Sequence, residues 1–223
     1  MIYNFSAGPS MMPVQVMKEA EKEFLNYHDM GMSVMELNHR SVAFNDIIDE
    51  AEEVLRKILQ IPHNYDVLFL QGGASLQFAA IPMNLMKNGK AGFIMTGHWT
   101  KKAYEEAEKY GEAVELASSE DRNYSYIPSC DHLTIPEDLD YIHICENNTI
   151  YGTRFHEIPT GLGKNIVSDM SSCILSEPVN ISKYGLIFAG AQKNAGPAGV
   201  TLVIVRKDLV VDDVLACTPS VMK

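Results

Sequence analysis

The sequence predicts an α/β fold in which a mostly parallel β-sheet carries helices on both faces. Short apolar runs alternate along the chain with segments of helical periodicity, and several of these runs are apolar on both faces of the strand. Strands of parallel sheets have this pattern because helices cover both sides of the sheet. Residues 1–60 are helical and poor in strand candidates. We therefore expect an N-terminal helical arm over 1–60 and the sheet domain over 61–223.

Four helices are predicted, and the clearest extends from Ser41 to Gln60. Its apolar residues repeat at helical spacing while acidic residues fill the opposite face. Ser41 is the candidate N-cap. The other three predicted helices are Pro13 to about Tyr27 with Ser10 near its start, Ala74 to Met86 with Pro82 limiting it, and Trp99 to Tyr110 with Gly111 as the candidate C-cap.

Seven short apolar runs are the strand candidates, and the last of them has the strongest β-propensity. In chain order they are Asp66–Leu70, Ala91–Met95, Glu112–Ala117, Tyr141–Cys145, Asn165–Asp169, Gly185–Ala189 and Gly199–Arg206.

Composition excludes several classes of protein. A chain of 223 residues allows one large domain, or one domain and part of a second. Its 18 basic and 29 acidic residues give a net charge of −11, which argues against binding to nucleic acid. No apolar run approaches the ~20 residues of a membrane span. The first basic residue is Lys18 and none of the four Cys forms a CxxC pair, so we expect no secretory signal, no metal site and a cytoplasmic protein.

Ligands of open α/β sheets bind outside the carboxyl ends of the strands, so residues that directly follow strands are the site candidates. The turn at Gly72 and Gly73 leads into a helix, whose first N–H groups suit a phosphate; an ordinary tight turn is the alternative. Trp99 is the only Trp and could stack on a flat cofactor, although core packing is the commoner role.

Two further candidates are a carboxylate and an amine. Asp169 ends an apolar strand, so it is either partly buried beside a partner or caps the next segment. Lys193 lies among Gly, Ala and Pro, where it is either a salt-bridge partner or a nucleophile with a lowered pKa. With the glycine turn and the Trp, these residue types are the set that a pyridoxal phosphate site requires.

The chain also resembles a known family, the phosphoserine aminotransferases, which are fold-type I pyridoxal phosphate enzymes. The matching stretches occur in the family's order over almost the whole chain. They are Asn4-Phe5-Ser6-Ala7-Gly8-Pro9, Asn38-His39-Arg40-Ser41, Gln71-Gly72-Gly73-Ala74-Ser75-Leu76-Gln77-Phe78, Thr96-Gly97-His98-Trp99, Asn148-Thr149-Ile150-Tyr151-Gly152, Ser168-Asp169-Met170-Ser171-Ser172 and Ala189-Gly190-Ala191-Gln192-Lys193-Asn194.

The resemblance implies a role for each residue of the cofactor's ring and linkage. Lys193 would form the internal aldimine with pyridoxal phosphate and later move a proton from the substrate Cα. Asp169 would pair with the pyridinium nitrogen. Trp99 would stack on the ring, and Thr149 would form a hydrogen bond near its phenolic oxygen.

It also implies contacts to the acidic groups. Ala74, Ser75 and Gln192 would hold the cofactor phosphate. His39 and Arg40 would face the acidic group of the substrate, for which a planar guanidinium is well suited.

The activity that the resemblance implies is amino transfer between L-glutamate and 3-phosphohydroxypyruvate, giving 2-oxoglutarate and O-phospho-L-serine in serine biosynthesis. Some members also act on 3-hydroxy-4-phosphooxybutanoate in pyridoxine biosynthesis. The family is homodimeric, with sites at the subunit interface. We expect small-molecule substrates and neither nucleic acid nor membrane as partners.

The chain departs from the family in length, because members continue into a second, smaller domain. We expect this C-terminal domain to be missing, which would make the chain a proteolytic or truncated piece of a longer aminotransferase. The alternatives are an inactive fragment that binds cofactor or dimerises, and another fold-type I activity, such as serine–glyoxylate aminotransferase. A cysteine desulfurase is disfavoured because no Cys has an evident activating His, and a Rossmann dehydrogenase because G-x-G-x-x-G is absent.

Overall fold

The computed structural model describes residues 2–159 and 161–223 and divides into two compact units, Met1–Ile61 and Pro62–Lys223. The first unit contains two α-helices, α1 (Val14–Leu25) and α2 (Val42–Leu59), and two short 3₁₀ helices between them. Its described part holds no strand. The assignment of a cofactor-binding domain to 61–223 stays a prediction.

Helix α2 has the predicted N-cap. The Ser41 hydroxyl accepts a hydrogen bond from the Phe44 N–H at 3.2 Å, which satisfies one of the donors that a helix start leaves free. Gln60 ends the helix in the left-handed region, with φ of 51°. Helix α1 differs from the prediction at its start, because Pro13 is its N-cap residue and no side chain, that of Ser10 included, caps it.

The second unit is built on a seven-stranded sheet, and each predicted strand is present with bounds shifted by at most one residue. The strands of this sheet are β1 (Tyr65–Gln71), β2 (Lys90–Met95), β3 (Glu112–Ser118), β4 (Tyr141–Cys145), β7 (Asn165–Asp169), β8 (Leu186–Gly190) and β9 (Val200–Arg206). A separate hairpin is formed by β5 (Asn147–Asn148) and β6 (Thr153–Arg154). The order across the sheet is β1-β9-β8-β7-β4-β2-β3.

Strand direction brings the functional candidates to one edge. The pairs β2–β3, β2–β4, β4–β7 and β7–β8 are parallel, whereas β9 is antiparallel to both β8 and β1. Strand β1 therefore runs in the same direction as β8, and the carboxyl ends of all strands except β9 open at the same edge. The predicted fold class, a mostly parallel sheet with flanking helices, is confirmed.

Helices α3 (Gln77–Leu85) and α4 (His98–Ala107) pack against the sheet and each other. A 3₁₀ turn at Ala74–Leu76 leads into α3, which ends three residues after Pro82. The shared core contains large side chains from both helices and strands, among them Phe78, Phe93, Tyr141 and Phe188. In the described part of the chain, no helix is long and apolar enough to cross a membrane.

Gly111 is not the C-cap of α4, which ends at Ala107 with Glu108 as its C-cap. It is required for a different reason, because a Cβ at this position would lie 2.4 Å from the carbonyl oxygen of Gly89. We expect Gly111→Ala to lower the free energy of unfolding by about 1–3 kcal/mol, since backbone must shift to admit the methyl group.

Urea denaturation measures this loss. The matched control is Gly73→Ala, because Gly73 has φ of −100° and a Cβ there meets nothing within 4 Å. Equal midpoints for the two variants would contradict the steric explanation.

Candidate active site

Three segments meet at the carboxyl edge of the sheet: the turn after β1, the residues after β7 and the end of β8. A Cβ built on Gly190 would lie 3.5 Å from the Ala74 Cβ and 3.8 Å from the Ser171 Oγ. The Gly190 N–H donates to that Oγ at 3.0 Å. The glycine turn, the acid-bearing segment and the segment leading to Lys193 are therefore neighbours.

Asp169 is the buried acid of this edge, with 6% of its surface exposed. Its Oδ1 accepts the Ser171 N–H at 2.9 Å. Burial raises the pKa of the carboxyl, against the opposing effects of the Ser171 hydrogen bonds and the Lys193 charge. No Lys, Arg or His among residues 2–159 and 161–223 lies within 4.0 Å of the carboxylate, so no ion pair neutralises it in the described chain.

Lys193 lies in the loop 191–199, which returns the chain from β8 to β9, and it is half-buried. The loop is closed at its base by the Ala191 N–H, which donates to the Val200 carbonyl at 2.9 Å. Asn194 Nδ2 donates to the Ile174 carbonyl at 2.7 Å, which ties the loop to the segment after Asp169. The lysine is thus presented from an anchored loop.

The glycine turn is fixed by β9. Gly72 has φ of 90°, its N–H donates to the Gly199 carbonyl at 2.9 Å, and its carbonyl accepts the Thr201 hydroxyl at 3.1 Å. No side chain caps the helical turn that begins at Ala74, and Cβ atoms at Gly72 and Gly73 would meet nothing within 4 Å. An uncapped helical start beside open space is suited to an anion.

The turns after β2 and β4 also touch. Thr96 Oγ1 donates to Asn148 Oδ1 at 3.1 Å, and a Cβ on Gly97 would lie 2.8 Å from the Tyr151 ring. Trp99 is partly exposed in the first turn of α4 and packs against the core. The hairpin turn after β5 carries an exposed residue, Thr149.

The remaining predicted residues are placed as follows. Gln192 is half-buried beside Lys193, and Ser75 is exposed in the 3₁₀ turn. His39 and Arg40 are exposed residues of the first unit, in the turn before α2. Their contact with a substrate stays a prediction.

Several residues that hold this edge together were given no role by the sequence analysis. Ser171 is bonded to both Asp169 and Gly190, and its position two residues after an Asp is a signal for a local side-chain turn. Asn148 and Thr96 are 52 residues apart and give no local signal. The same is true of the buried residues Glu146 and Tyr184.

Neither of two cavities in the described structure is lined by Asp169 or Lys193. A cavity of about 590 Å³ is lined by residues such as Asp140 and Asn165, at the opposite ends of the strands, and one of about 380 Å³ lies between α3 and β9. In the described part of the chain no three His, Cys, Asp or Glu side chains gather as they would around a metal ion.

Comparison with known proteins agrees with this architecture. The phosphoserine aminotransferase of a Bacillus cereus strain is 55% identical over 94% of this chain, and that of a Listeria monocytogenes strain is 54% identical over 94%. The match covers 58% and 57% of those proteins, so the chain spans a little over half their length.

Solved structures give the same result. The phosphoserine aminotransferase of Bacillus circulans subsp. alkalophilus superposes with a TM-score of 0.94 at 43% identity, covering 100% of this chain and 62% of that one. The pyridoxal phosphate-bound enzyme of Trichomonas vaginalis superposes with a TM-score of 0.93 at 38% identity, covering 100% and 66%. The sequence pattern of the family described as Aminotransferase class-V matches residues 2–213. The predicted resemblance is confirmed, and the chain belongs to the aminotransferase class-V family.

Proposed function

We propose that this chain is the cofactor-binding part of a pyridoxal phosphate-dependent phosphoserine aminotransferase. The observation that carries the proposal is the buried Asp169, which has no cationic partner within 4.0 Å in the described chain and lies beside the loop of Lys193 and the glycine turn. The proposed reaction exchanges an amino group between L-glutamate and 3-phosphohydroxypyruvate, giving O-phospho-L-serine and 2-oxoglutarate.

The residues present fit the cofactor. A buried carboxylate without an ion-pair partner in the described chain suits a protonated ring nitrogen, because each group offsets the other's desolvation. The uncapped turn at Ala74 and Ser75, with Gln192, suits the phosphate. Trp99 offers a ring for stacking, and Thr149 offers a hydroxyl.

Each side chain then has a defined task. Bound pyridoxal phosphate supplies an electron sink for the bond broken at the substrate Cα. Lys193 Nζ holds the cofactor covalently and, when released, carries the proton that leaves Cα. Asp169 keeps its negative charge toward the ring nitrogen, and Ser171 holds that carboxylate in orientation through its N–H.

The finer parts of the proposal concern substrate and assembly. His39 and Arg40 are proposed to bind the acidic group of the substrate. A second substrate, 3-hydroxy-4-phosphooxybutanoate, a homodimeric assembly and a cytoplasmic location extend the proposal. The alternative is that the chain binds the cofactor or dimerises without catalysing transfer.

Titration of the purified chain with pyridoxal phosphate tests the proposal. We expect a visible absorption band, and after borohydride reduction a mass increase of one phosphopyridoxyl group on the peptide containing Lys193. Lys193→Ala should show neither. Lys183→Ala is the matched control, because Lys183 is an exposed lysine at the other end of β8.

Addition of glutamate then separates transfer from binding alone. Loss of the band together with formation of 2-oxoglutarate supports transamination, whereas a stable band supports binding without transfer. Labelling of wild type and Lys193→Ala to the same extent would refute the assigned site.

A further inference from the structure

Glu146 is a second buried acid, and its backbone is hydrogen-bonded to that of Asp169. Glu146 follows the last residue of β4 and has 5% of its surface exposed. Its backbone N–H donates to the Asp169 carbonyl at 3.0 Å, which extends the pairing of β4 and β7 by one step. The residue is therefore fixed to the same backbone unit that presents the Asp169 carboxylate.

The Glu146 side chain is held by two hydroxyl groups. Its Oε2 accepts from the Tyr184 hydroxyl at 2.9 Å and from the Ser168 hydroxyl at 3.3 Å. Tyr184 lies two residues before β8, and Ser168 is the residue before Asp169. One carboxylate oxygen thus links the ends of β4 and β7 to the start of the strand that leads to Lys193.

Glu146 also anchors the hairpin that carries Thr149. The Phe155 N–H donates to the Glu146 carbonyl at 2.9 Å, just after β6. The hairpin strands leave from and return to this point, since Asn147 follows Glu146 and pairs with Arg154. Rotation or release of Glu146 would move the hairpin relative to Asp169.

We propose that Glu146 is a positioning residue, whose bonds to Tyr184 and Ser168 set the distance between the Thr149 hairpin and the Asp169 carboxylate. This inference rests on the proposed function, because it assigns these two groups to one cofactor. A buried acid is a costly way to fill space, and a satisfied polar network fixes one geometry where apolar packing tolerates several. The network therefore keeps the groups that would bind the cofactor in a fixed position.

The groups around the Glu146 carboxyl affect its pKa in opposite directions. Burial raises the pKa of Glu146, while the hydrogen bonds from Tyr184 and Ser168 and the charge of Arg154 oppose the rise. The Glu177 carboxylate, which pairs with Arg154, adds to it. Burial and the Glu146 charge likewise raise the pKa of Tyr184, so its hydroxyl stays a donor.

The test compares Glu146→Ala, which removes the acceptor, with Glu146→Gln, which keeps an oxygen at the same place. Tyr184→Phe removes one donor. Its matched control is Tyr126→Phe, which deletes a hydroxyl bonded to the exposed Asp121 at 2.7 Å. Each variant of the whole chain is measured by amide hydrogen exchange without cofactor, and by the dissociation constant for pyridoxal phosphate.

We expect Glu146→Ala to speed exchange at residues 147–155 about tenfold and to weaken cofactor binding about tenfold, as for the loss of a buried hydrogen-bond partner. Glu146→Gln should stay within about twofold of wild type in both, with Tyr184→Phe between them and Tyr126→Phe unchanged. Unchanged exchange in Glu146→Ala would overturn the proposal. Faster exchange with unchanged cofactor affinity would also overturn it, because the role would be structural only.

A failure of the proposed function is distinguishable from these results. It would be seen as wild-type chain that binds no pyridoxal phosphate. In that case, amide hydrogen exchange at residues 147–155 of the cofactor-free variants still shows whether Glu146 fixes the hairpin.

Discussion

Replacing Asp169 with Asn is expected to slow the release of 2-oxoglutarate from glutamate by about 10²- to 10³-fold, the usual loss when one aligned electrostatic group is removed from a site. The amide keeps the shape of the side chain and its acceptor for the Ser171 N–H. It loses the negative charge that would keep a ring nitrogen protonated. The predicted defect is therefore in the chemical step rather than in folding.

Single-turnover measurement on cofactor-loaded protein gives the rate, and a separate titration gives cofactor affinity. The matched control is Asp140→Asn. Asp140 is also a partly buried acid whose pKa is raised by burial, but it precedes β4, and its carboxylate accepts the Asn88 N–H at 2.9 Å. We expect this control to change stability and leave the single-turnover rate within about twofold. A rate for Asp169→Asn equal to that of wild type would refute the pairing of this acid with the ring.

The placement of the candidate residues at one edge could be predicted because they lie at the ends of recognisable strands. Asp169 ends β7 at the predicted residue, and Lys193 follows β8 in a loop of small residues. A parallel arrangement then requires both to lie at one edge. The individual roles came from the family resemblance rather than from the pattern, because spacing along a chain does not state which group faces a ring and which a phosphate.

The contacts that hold the site could not be predicted in the same way. Strand β9 was recognised from its apolar residues, but its antiparallel direction depends on the short loop 191–199, which returns the chain to the neighbouring position. Tyr184 and Glu146 are 38 residues apart and meet because β7 lies between β4 and β8 in the sheet. Gly111 is an error of another kind. Its position after a helix predicted a C-cap, whereas the structure explains the glycine by its close packing against Gly89.

His143 provides the last prediction, which concerns stability rather than catalysis. It lies in the middle of β4 with 2% of its surface exposed, among the rings of Phe78, Phe93 and Phe188. Within the described chain its Nε2 has no hydrogen-bond partner. Burial lowers the pKa of this imidazole from 6.5 to about 3, so the folded chain holds it neutral.

The unfolded chain takes up a proton on His143 as the pH falls below 6.5, whereas the folded chain does so only near pH 3. Between these values the unfolded state binds more protons, so the free energy of unfolding decreases as the pH falls, by about 1.4 kcal/mol per pH unit. Burial also raises the pKa of the acids Glu146 and Asp169, which add to the pH dependence of stability. The contribution of His143 is therefore measured as a difference between wild type and a variant. His143→Leu, which is similar in volume and has no titratable group, should lose this contribution.

We expect urea midpoints at pH 7 and pH 5 to show wild type losing about 2 kcal/mol more than His143→Leu between the two conditions. Replacement of the exposed His156 by Leu is the control, because it removes the same chemical group from the surface. Parallel pH profiles for wild type and His143→Leu would contradict a neutral buried imidazole. A steeper profile for wild type alone would show that the buried imidazole of His143 lowers the free energy of unfolding at acid pH.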